Sequence, residues 1–441
     1  MGKRRRAEVP LESHAELPTD AGRDPLGLLF QQNASRVPDL VSLRHERMGV
    51  TPFTFFRGAA LPMAADLAGL PSPGLRVQLC GDAHLSNFGA YASPERRLIF
   101  DVNDFDETLP GPFEWDVKRL AASLAIAGRD NDFSEPERRR VVLAAGEAYR
   151  TAMRDFARQG ILTVWYAHLD FERHLDTVRK ELRPEGASET AALLRKARQR
   201  DSSHAVGKLT EEADGHRRIV SQPPLIVPIA DLVTPDAANR VGDELNAILQ
   251  RYSASLQEDR RHLLSSFRLV DLARKVVGVG SVGTRAWILL LEAHDDGQPL
   301  VLQAKEAGES VLAPFAGRSL HDNQGERVVA GQRLIQAVSD IFLGWQRGTG
   351  LDGLERDFYV RQLKDWKTSF PVERMRPTGM AVYGRACAWT LARAHARSGD
   401  RIAIAAYLGR SDAFEQALVE FSEGYADITE RDYAAFRSAV G

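Results

Sequence analysis

Short bursts of alternation and long stretches of helical spacing divide the chain. Residues 75–80 and 97–102 read as two strands, with Ser93-Pro94-Glu95 as the turn between them. Val117, Leu120, Ala121 and Leu124 recur at helical intervals across residues 113–127, and helical patterning continues to about residue 200. A polar stretch over 201–218 leads into Gln222-Pro223-Pro224, which marks a boundary, and 236–261 reads as helix again. From residue 267 the texture changes. Residues 276–283 read as a strand and a glycine-rich turn, and 286–293 and 299–304 as strands joined by the hairpin turn Asp295-Asp296-Gly297. Helix returns over 324–344, a strand over 357–363, and helix again over 382–397 and through the final segment. Residues 25–47 have a mixed helical pattern, and 51–58 form an aromatic connector. The first 24 residues are polar and predict a poorly ordered tail, in which Lys3-Arg4-Arg5-Arg6 is a mobile, solvated run.

Composition narrows the class. With 441 residues, 44% of them hydrophobic, the chain can bury a substantial core. A formal net charge of -2 gives no global attraction to nucleic acid or acidic membrane. No apolar run approaches the ~20 residues that span a bilayer, and the basic start runs into Ala7-Glu8-Val9-Pro10 rather than an apolar signal segment. Cys80 and Cys387 have neither CxxC partners nor metal-like spacing, so no disulfide framework is expected. These features predict a cytoplasmic protein with no nucleic-acid or membrane partner. They carry no signal of oligomeric state.

Three polar clusters carry candidate chemistry. The first is GDAHLSN at 81–87, followed by Asn103-Asp104-Phe105-Asp106. Asp82 and Asn87 have the Asp-x4-Asn spacing of a phosphotransfer loop, in which a carboxylate orients the acceptor hydroxyl and an amide oxygen holds Mg2+. A further carboxylate completes such a metal site. Asp104 is the candidate, with Asp106 and Asp101 as competitors. His84 reads as a hydrogen-bonding group close to the same centre. The second cluster is Gly278-Val-Gly280-Ser281-Val282-Gly283, set between strands and therefore suited to bring backbone N–H groups close to phosphates. The third is Lys305, at the end of the next strand, where an ammonium can reach phosphate oxygens and pair with a helical carboxylate. Glu326 is the candidate partner and Glu309 the competitor. Arg327, Arg333 and Arg361 read as exposed by default, with contact to phosphate or substrate as the alternative, and Arg217 and Arg218, before the Pro-Pro boundary, as solvated residues with a substrate lid as the alternative.

The succession GDAHLSN, NDFD and Gly111-Pro112-Phe113-Glu114-Trp115-Asp116 resembles the HGDxHxxN, IDF(D/E) and GDPxxDLA motifs of aminoglycoside and choline phosphotransferases. The resemblance implies that Asp116 starts a buried helix and braces the catalytic loop. Cys80 stands where that group has His, and Arg285 where a kinase glycine loop has Val. Residues 382–400 resemble the helix that precedes the HGD motif there, although in this chain they follow it. From about residue 24 to 435 the sequence also resembles an uncharacterised bacterial family, domain of unknown function 2252.

Together these resemblances imply a protein-kinase-like, two-lobed α+β fold in circularly permuted order. The small lobe is expected over 263–368, and the large lobe over 25–262 and 369–441. ATP and Mg2+ are the implied cofactors, with an acceptor that the sequence does not identify. Asp82, His84, Asn87 and Asp104 are the expected catalytic residues. Asn87, Asp104 and Asp106 are expected at the metal, and Gly278, Gly280, Ser281, Gly283, Lys305 and Glu326 at the nucleotide. A regulatory nucleotide-binding module and nucleotidyl transfer to protein are the alternatives.

Overall fold

The computed structural model describes residues 1–170, 181, 184–198, 206–207, 209–213, 216–232, 247–276, 278, 280, 282–349, 353–363 and 366–441. It is a mixed α+β protein. Its strands are β1 (Arg76–Leu79), β2 (Phe88–Ala92), β3 (Leu98–Val102), β4 (Leu109–Pro112), β5 (Leu169–Asp170), β6 (Thr210–Ala213), β7 (His216–Ile219), β8 (Ile226–Pro228), β9 (Phe267–Lys275), β10 (Ala286–Ala293), β11 (Pro299–Ala307), β12 (Gly344–Thr349), β13 (Glu355–Gln362) and β14 (Thr368–Ser369).

The largest sheet has six strands in the order β12-β13-β11-β10-β9-β8, and neighbouring strands are antiparallel. Its central hairpin turns at Gly297, whose φ of 67° suits glycine. Successive side chains of a strand point to opposite faces, and this hairpin fills two apolar layers in that way. Leu289, Leu291, Leu300 and Leu302 enter one layer, while Ile288, Leu290 and Val301 enter the other.

The helical body is built around Phe113–Asp130, a helix buried almost all round. Glu135–Ala157 and Pro377–Ser398 pack against each other beside it, each with proline in its first turn, where a missing N–H costs no helical bond. Phe113 stacks on Tyr149 at 6.2 Å, and one continuous apolar core joins residues as distant as Leu11 and Ile428.

Several expectations change in structure. Residues 75–80 and 97–102 hold strands as read, yet these do not pair: β1 pairs with β4 and β2 with β3. The partners of these two strands had gone unread, because β4 is Leu-Pro-Gly-Pro and β2 is buried at four of its five positions and so lacks alternation. The strand expected from residue 276 lies earlier, at β9, and the turn begins at its end. The helix expected over 324–344 is Gln324–Ile335. The N-terminal segment is ordered rather than a loose tail. Gly2–Glu8 is a helix against Arg401–Leu408, Leu11 joins the core, and His14 lies 2.7 Å from the Tyr407 hydroxyl. The basic run divides: Lys3 and Arg4 are exposed, whereas Arg5 and Arg6 are half-buried and Arg6 donates to the Ala406 carbonyl, so the run is docked rather than mobile. Of the helix expected over 236–261, residues 236–246 lie outside the described residues. No helix among the described residues is long and apolar enough to cross a membrane.

Candidate functional site

Strand β1 delivers the chain to Gly81, where two constraints coincide. The backbone has φ 87°, and a Cβ would fall 2.3 Å from the Glu107 carbonyl oxygen, so only glycine fits. Asp116, in the first turn of the central helix, accepts hydrogen bonds from Cys80 N at 2.8 Å and Gly81 N at 3.1 Å. His395 Nε2 lies 3.3 Å from the same carboxylate, which ties the end of helix Pro377–Ser398 to this loop. Ser123 Oγ accepts from Leu85 N, and Asn87 Nδ2 donates to the Asp82 carbonyl at 2.8 Å. With its nitrogen so used, Asn87 presents its amide oxygen as an acceptor.

Asp82 is the most asymmetrically held carboxylate here. Its Oδ1 receives Arg119 Nε at 2.9 Å and Nη2 at 2.8 Å, while its Oδ2 lies 3.7 Å from His84 Nε2. Arg119 is itself fixed by the Phe56 ring, 3.8 Å from its guanidinium carbon, and by the Phe56 carbonyl. Burial pushes the Asp82 carboxyl up to about 6 against the pull of Arg119. Burial, reinforced by Arg57 and Arg119, holds His84 well below the ordinary imidazole range, so that its ring is neutral.

The sheet supplies the facing wall. Gly278 and Gly283 have φ of 65° and 90°, and Gly278, Gly280 and Thr284 line the cavity that also contains Asp82, Asn87 and Asp104. Ser281 lies outside the described residues. Lys305 projects from β11 to pair with Asp106 and lies 3.8 Å from Asp104 Oδ2. Tyr359 donates to the other Asp106 oxygen at 2.7 Å. Burial disfavours the Lys305 ammonium, but Asp104 and Asp106 outweigh it and hold its pKa above the ordinary lysine value. Asp106 is partly buried, which raises its carboxyl, yet Lys305 and Tyr359 outweigh this and keep it below the usual range.

Glu326 does not fill the expected role. It is 3.4 Å from His321, with a side chain 37% exposed, whereas Lys305 takes its acidic partners from the Asp104–Asp106 loop. Helix Gln324–Ile335 turns Arg327 inward instead, and its guanidinium donates to the carbonyls of Thr108, Asp106 and Gly308 at 2.8, 2.8 and 2.9 Å. Arg361, also read as exposed, donates to the Asn103 carbonyl, and Arg333 to that of Leu343. Arg217 lies in β7 beside Glu292.

The carboxylates of 101–106 separate by function. Asp101 faces away into the helical body and pairs with Arg393. Asp106 has both oxygens engaged, so it is a poor cation ligand. Asp104 accepts Asp106 N through Oδ1, which leaves Oδ2 for the cleft. Among the described residues no three His, Cys, Asp or Glu side chains converge as a metal centre. Asp104 with the Asn87 amide nevertheless matches the sparse protein contribution typical of Mg2+, whose other ligands are water and phosphate.

Arg36, Arg57, Glu107 and Arg119 also belong to this neighbourhood and were missed in the sequence. Burial pushes the Glu107 carboxyl up to about 7. No local motif marks these four. Arg119 alone had a signal, being a charged residue three positions after Asp116 on a helix otherwise apolar at its core spacing. The cavity has a volume of about 110 Å³.

Fold and site define a mixed α+β protein whose cleft sets carboxylates and a loop amide against a lysine and a glycine turn. The chain belongs to the bacterial family of domain of unknown function 2252, described as an uncharacterized protein conserved in bacteria, whose model matches residues 36–439. No curated protein and no solved structure matches the chain.

Proposed function

We propose that this cleft is the active site of an ATP- and Mg2+-dependent phosphotransferase acting on a hydroxyl acceptor, in a protein-kinase-like arrangement of permuted order. One observation carries the reading. Asp82, Asn87 and Asp104 share a cavity with Gly278 and Gly280, and Lys305 pairs with Asp106, 199 positions away in sequence, and lies 3.8 Å from Asp104. The permuted order is supported by Ser398 Oγ, at the end of helix Pro377–Ser398, which accepts from Gln78 N in β1 at 3.1 Å. Helix Pro377–Ser398 thus abuts the strand that leads into the Asp82 loop, as an uncut chain would run.

In this reading Asp82 Oδ2 receives the proton of the acceptor hydroxyl. The acceptor oxygen bonds to the γ phosphorus, the bond from that phosphorus to the β,γ-bridging oxygen breaks, and ADP departs. A general base works best with a pKa near the working pH, and the burial-raised Asp82 approaches that condition. Asn87 and Asp104 would hold Mg2+, which neutralises phosphate oxygens. Lys305 and the amides of the glycine turn hold the phosphate chain, so that positioning and charge supply most of the acceleration. The cavity accepts a phosphoryl group but falls below the roughly 300–1,000 Å³ of sites that enclose whole small molecules. Entry of the nucleoside therefore requires the glycine turn to part from the N-terminal segment packed on it.

Calorimetric titration with ATP, with and without Mg2+, tests the reading. Binding that needs the metal and is abolished in both Asp104→Ala and Lys305→Ala is expected; no binding by the folded wild type would overturn it. Asp82→Asn should retain binding and lose ADP formation. Release of pyrophosphate would instead indicate nucleotidyl transfer, and binding without any product a regulatory module.

A further inference from the structure

The segment that closes the cleft is itself charged. Residues 36–47 lie on the glycine turn: Val37 N donates to the Gly283 carbonyl at 2.8 Å, Arg47 to that of Gly278 at 2.7 Å, and Arg36 to that of Val282. Leu40, Val276 and Val282 form a small apolar seam beneath these bonds. Gly283 is glycine for this contact as well as for its φ, because a Cβ there would sit 2.9 Å from Arg36 Cβ.

This seating places two guanidinium groups at the cavity. Arg36, only 8% exposed, and Arg57 both line it, and the Nε of each is buried with no hydrogen-bond partner. Of the nearby carboxylates, Asp82 is held by Arg119 and Asp106 by Lys305 and Tyr359, while Glu107, which also lines the cavity and attracts Arg36, accepts from Val311 N at 2.7 Å and makes no hydrogen bond to either guanidinium. A guanidinium stays charged and offers only donors, so an under-paired buried one is costly unless an anion completes it. Burial lowers the proton affinity of both, with Asp and Glu residues only partly offsetting it.

We infer that Arg36 and Arg57 form an anion clamp that grips a phosphoryl group in this cavity. Two features favour phosphoryl over a carboxylate ligand. The cavity of about 110 Å³ suits a compact anion, and Asp104 with Asn87 offers oxygens to a cation that such an anion would share. Planar guanidinium forks match phosphate oxygens in pairs. The inference rests on the phosphotransferase reading only for the source of that group, the terminal phosphoryl of a nucleotide rather than free phosphate.

The test is calorimetric titration of the full-length protein with Mg-ATP, AMP and inorganic phosphate, for wild type, Arg57→Gln, Arg36→Gln and Arg36→Lys. Each Gln variant is expected to weaken Mg-ATP binding about tenfold or more, the size typical of a lost charge-assisted hydrogen bond. AMP binding should be unchanged, and Arg36→Lys should recover part of the loss. Arg57→Gln guards against misfolding, because no described hydrogen bond holds that guanidinium, and an unshifted thermal midpoint would verify this. Wild-type affinity for Mg-ATP in both Gln variants would overturn the clamp while leaving the phosphotransferase reading intact. Arginine-dependent binding of inorganic phosphate without binding of ATP would do the reverse. A wild type that binds neither ligand would overturn both.

Discussion

Asp101 and Asp106 stand five positions apart in one acidic run, and each meets a cation from a remote part of the chain. Asp101 and Arg393 have side chains 1% exposed, and Val102 N and Ala337 N also donate to the carboxylate. Asp106 meets Lys305 at a cavity wall and remains 23% exposed. The first pair fastens a helix to a strand; the second joins the helical body to the six-stranded sheet beside the cavity that Asp106 lines. Burial governs Asp101, pushing its carboxyl up despite Arg393, whereas at Asp106 the cation and the Tyr359 hydroxyl prevail and the carboxyl falls. Two ion pairs with similar residues are therefore a structural rivet and a candidate functional contact, separated by what lies around them.

Breaking the rivet should have the largest effect. Arg393→Leu leaves a buried carboxylate unpaired and is expected to lower the unfolding free energy by about 3–5 kcal/mol in urea denaturation. Adding Asp101→Leu to it should recover part of that loss, because burying the pair is itself expensive. A loss below about 1 kcal/mol in the single variant would mean that the interior pair is no more critical than a surface pair.

Lys305→Met should cost less, about 1–3 kcal/mol, since Asp106 keeps Tyr359 and access to the cleft. Equal losses in Lys305→Met and Arg393→Leu would erase the distinction between the two sites.

Acid separates the pairs by sign. The Asp106 carboxyl is lowered, so its contribution is present above the unfolded carboxylate pKa and is lost as pH falls through that value to the folded one. The Asp101 carboxyl is raised, so its contribution is present below the unfolded pKa and is lost as pH rises through the folded one. Thermal midpoints measured across this range should show less acid loss in Asp106→Asn, and a shallower decline with rising pH in Asp101→Asn. The same slope in both variants would contradict the opposite signs.

The smallest effect sharpens the pairing at Lys305. Glu326→Ala should change stability by no more than about 0.5 kcal/mol and leave ligand affinity as it is, since its partner is an exposed His321. A large loss of affinity would restore Glu326 to the role its position in the sequence promised.

What the sequence made legible was local. GDAHLSN, NDFD and the glycine turn each carry their chemistry within a few residues, and each sends residues to one cavity: Asp82, His84 and Asn87 from the first, Asp104 and Asp106 from the second, Gly278 and Gly280 from the third; Gly283 is not among its lining residues and Ser281 is outside the described ones. The identity of Lys305's partner was not local. A first-turn glutamate on the following helix satisfied the pattern, while the actual carboxylates lie about two hundred positions earlier in sequence. Arg36 and Arg57 were hidden for the same reason, since the wall they form exists only once residues 36–47 meet the turn at 278–283. Strand pairing failed at β4, where Leu-Pro-Gly-Pro carries no strand signal yet sits in a short two-stranded ladder with β1.

The rivet also imposes a wait. Arg393 follows Asp101 by 292 positions, which at about 5–20 residues per second is roughly 15–60 s of ribosomal synthesis. For that interval the nascent helical body holds an acid with no counter-ion, and the loop of Asp82 lacks the His395 beside its brace. The cleft can therefore mature only after the chain through His395 has emerged, and this timing leaves the earlier residues dependent on whatever shields them from aggregation.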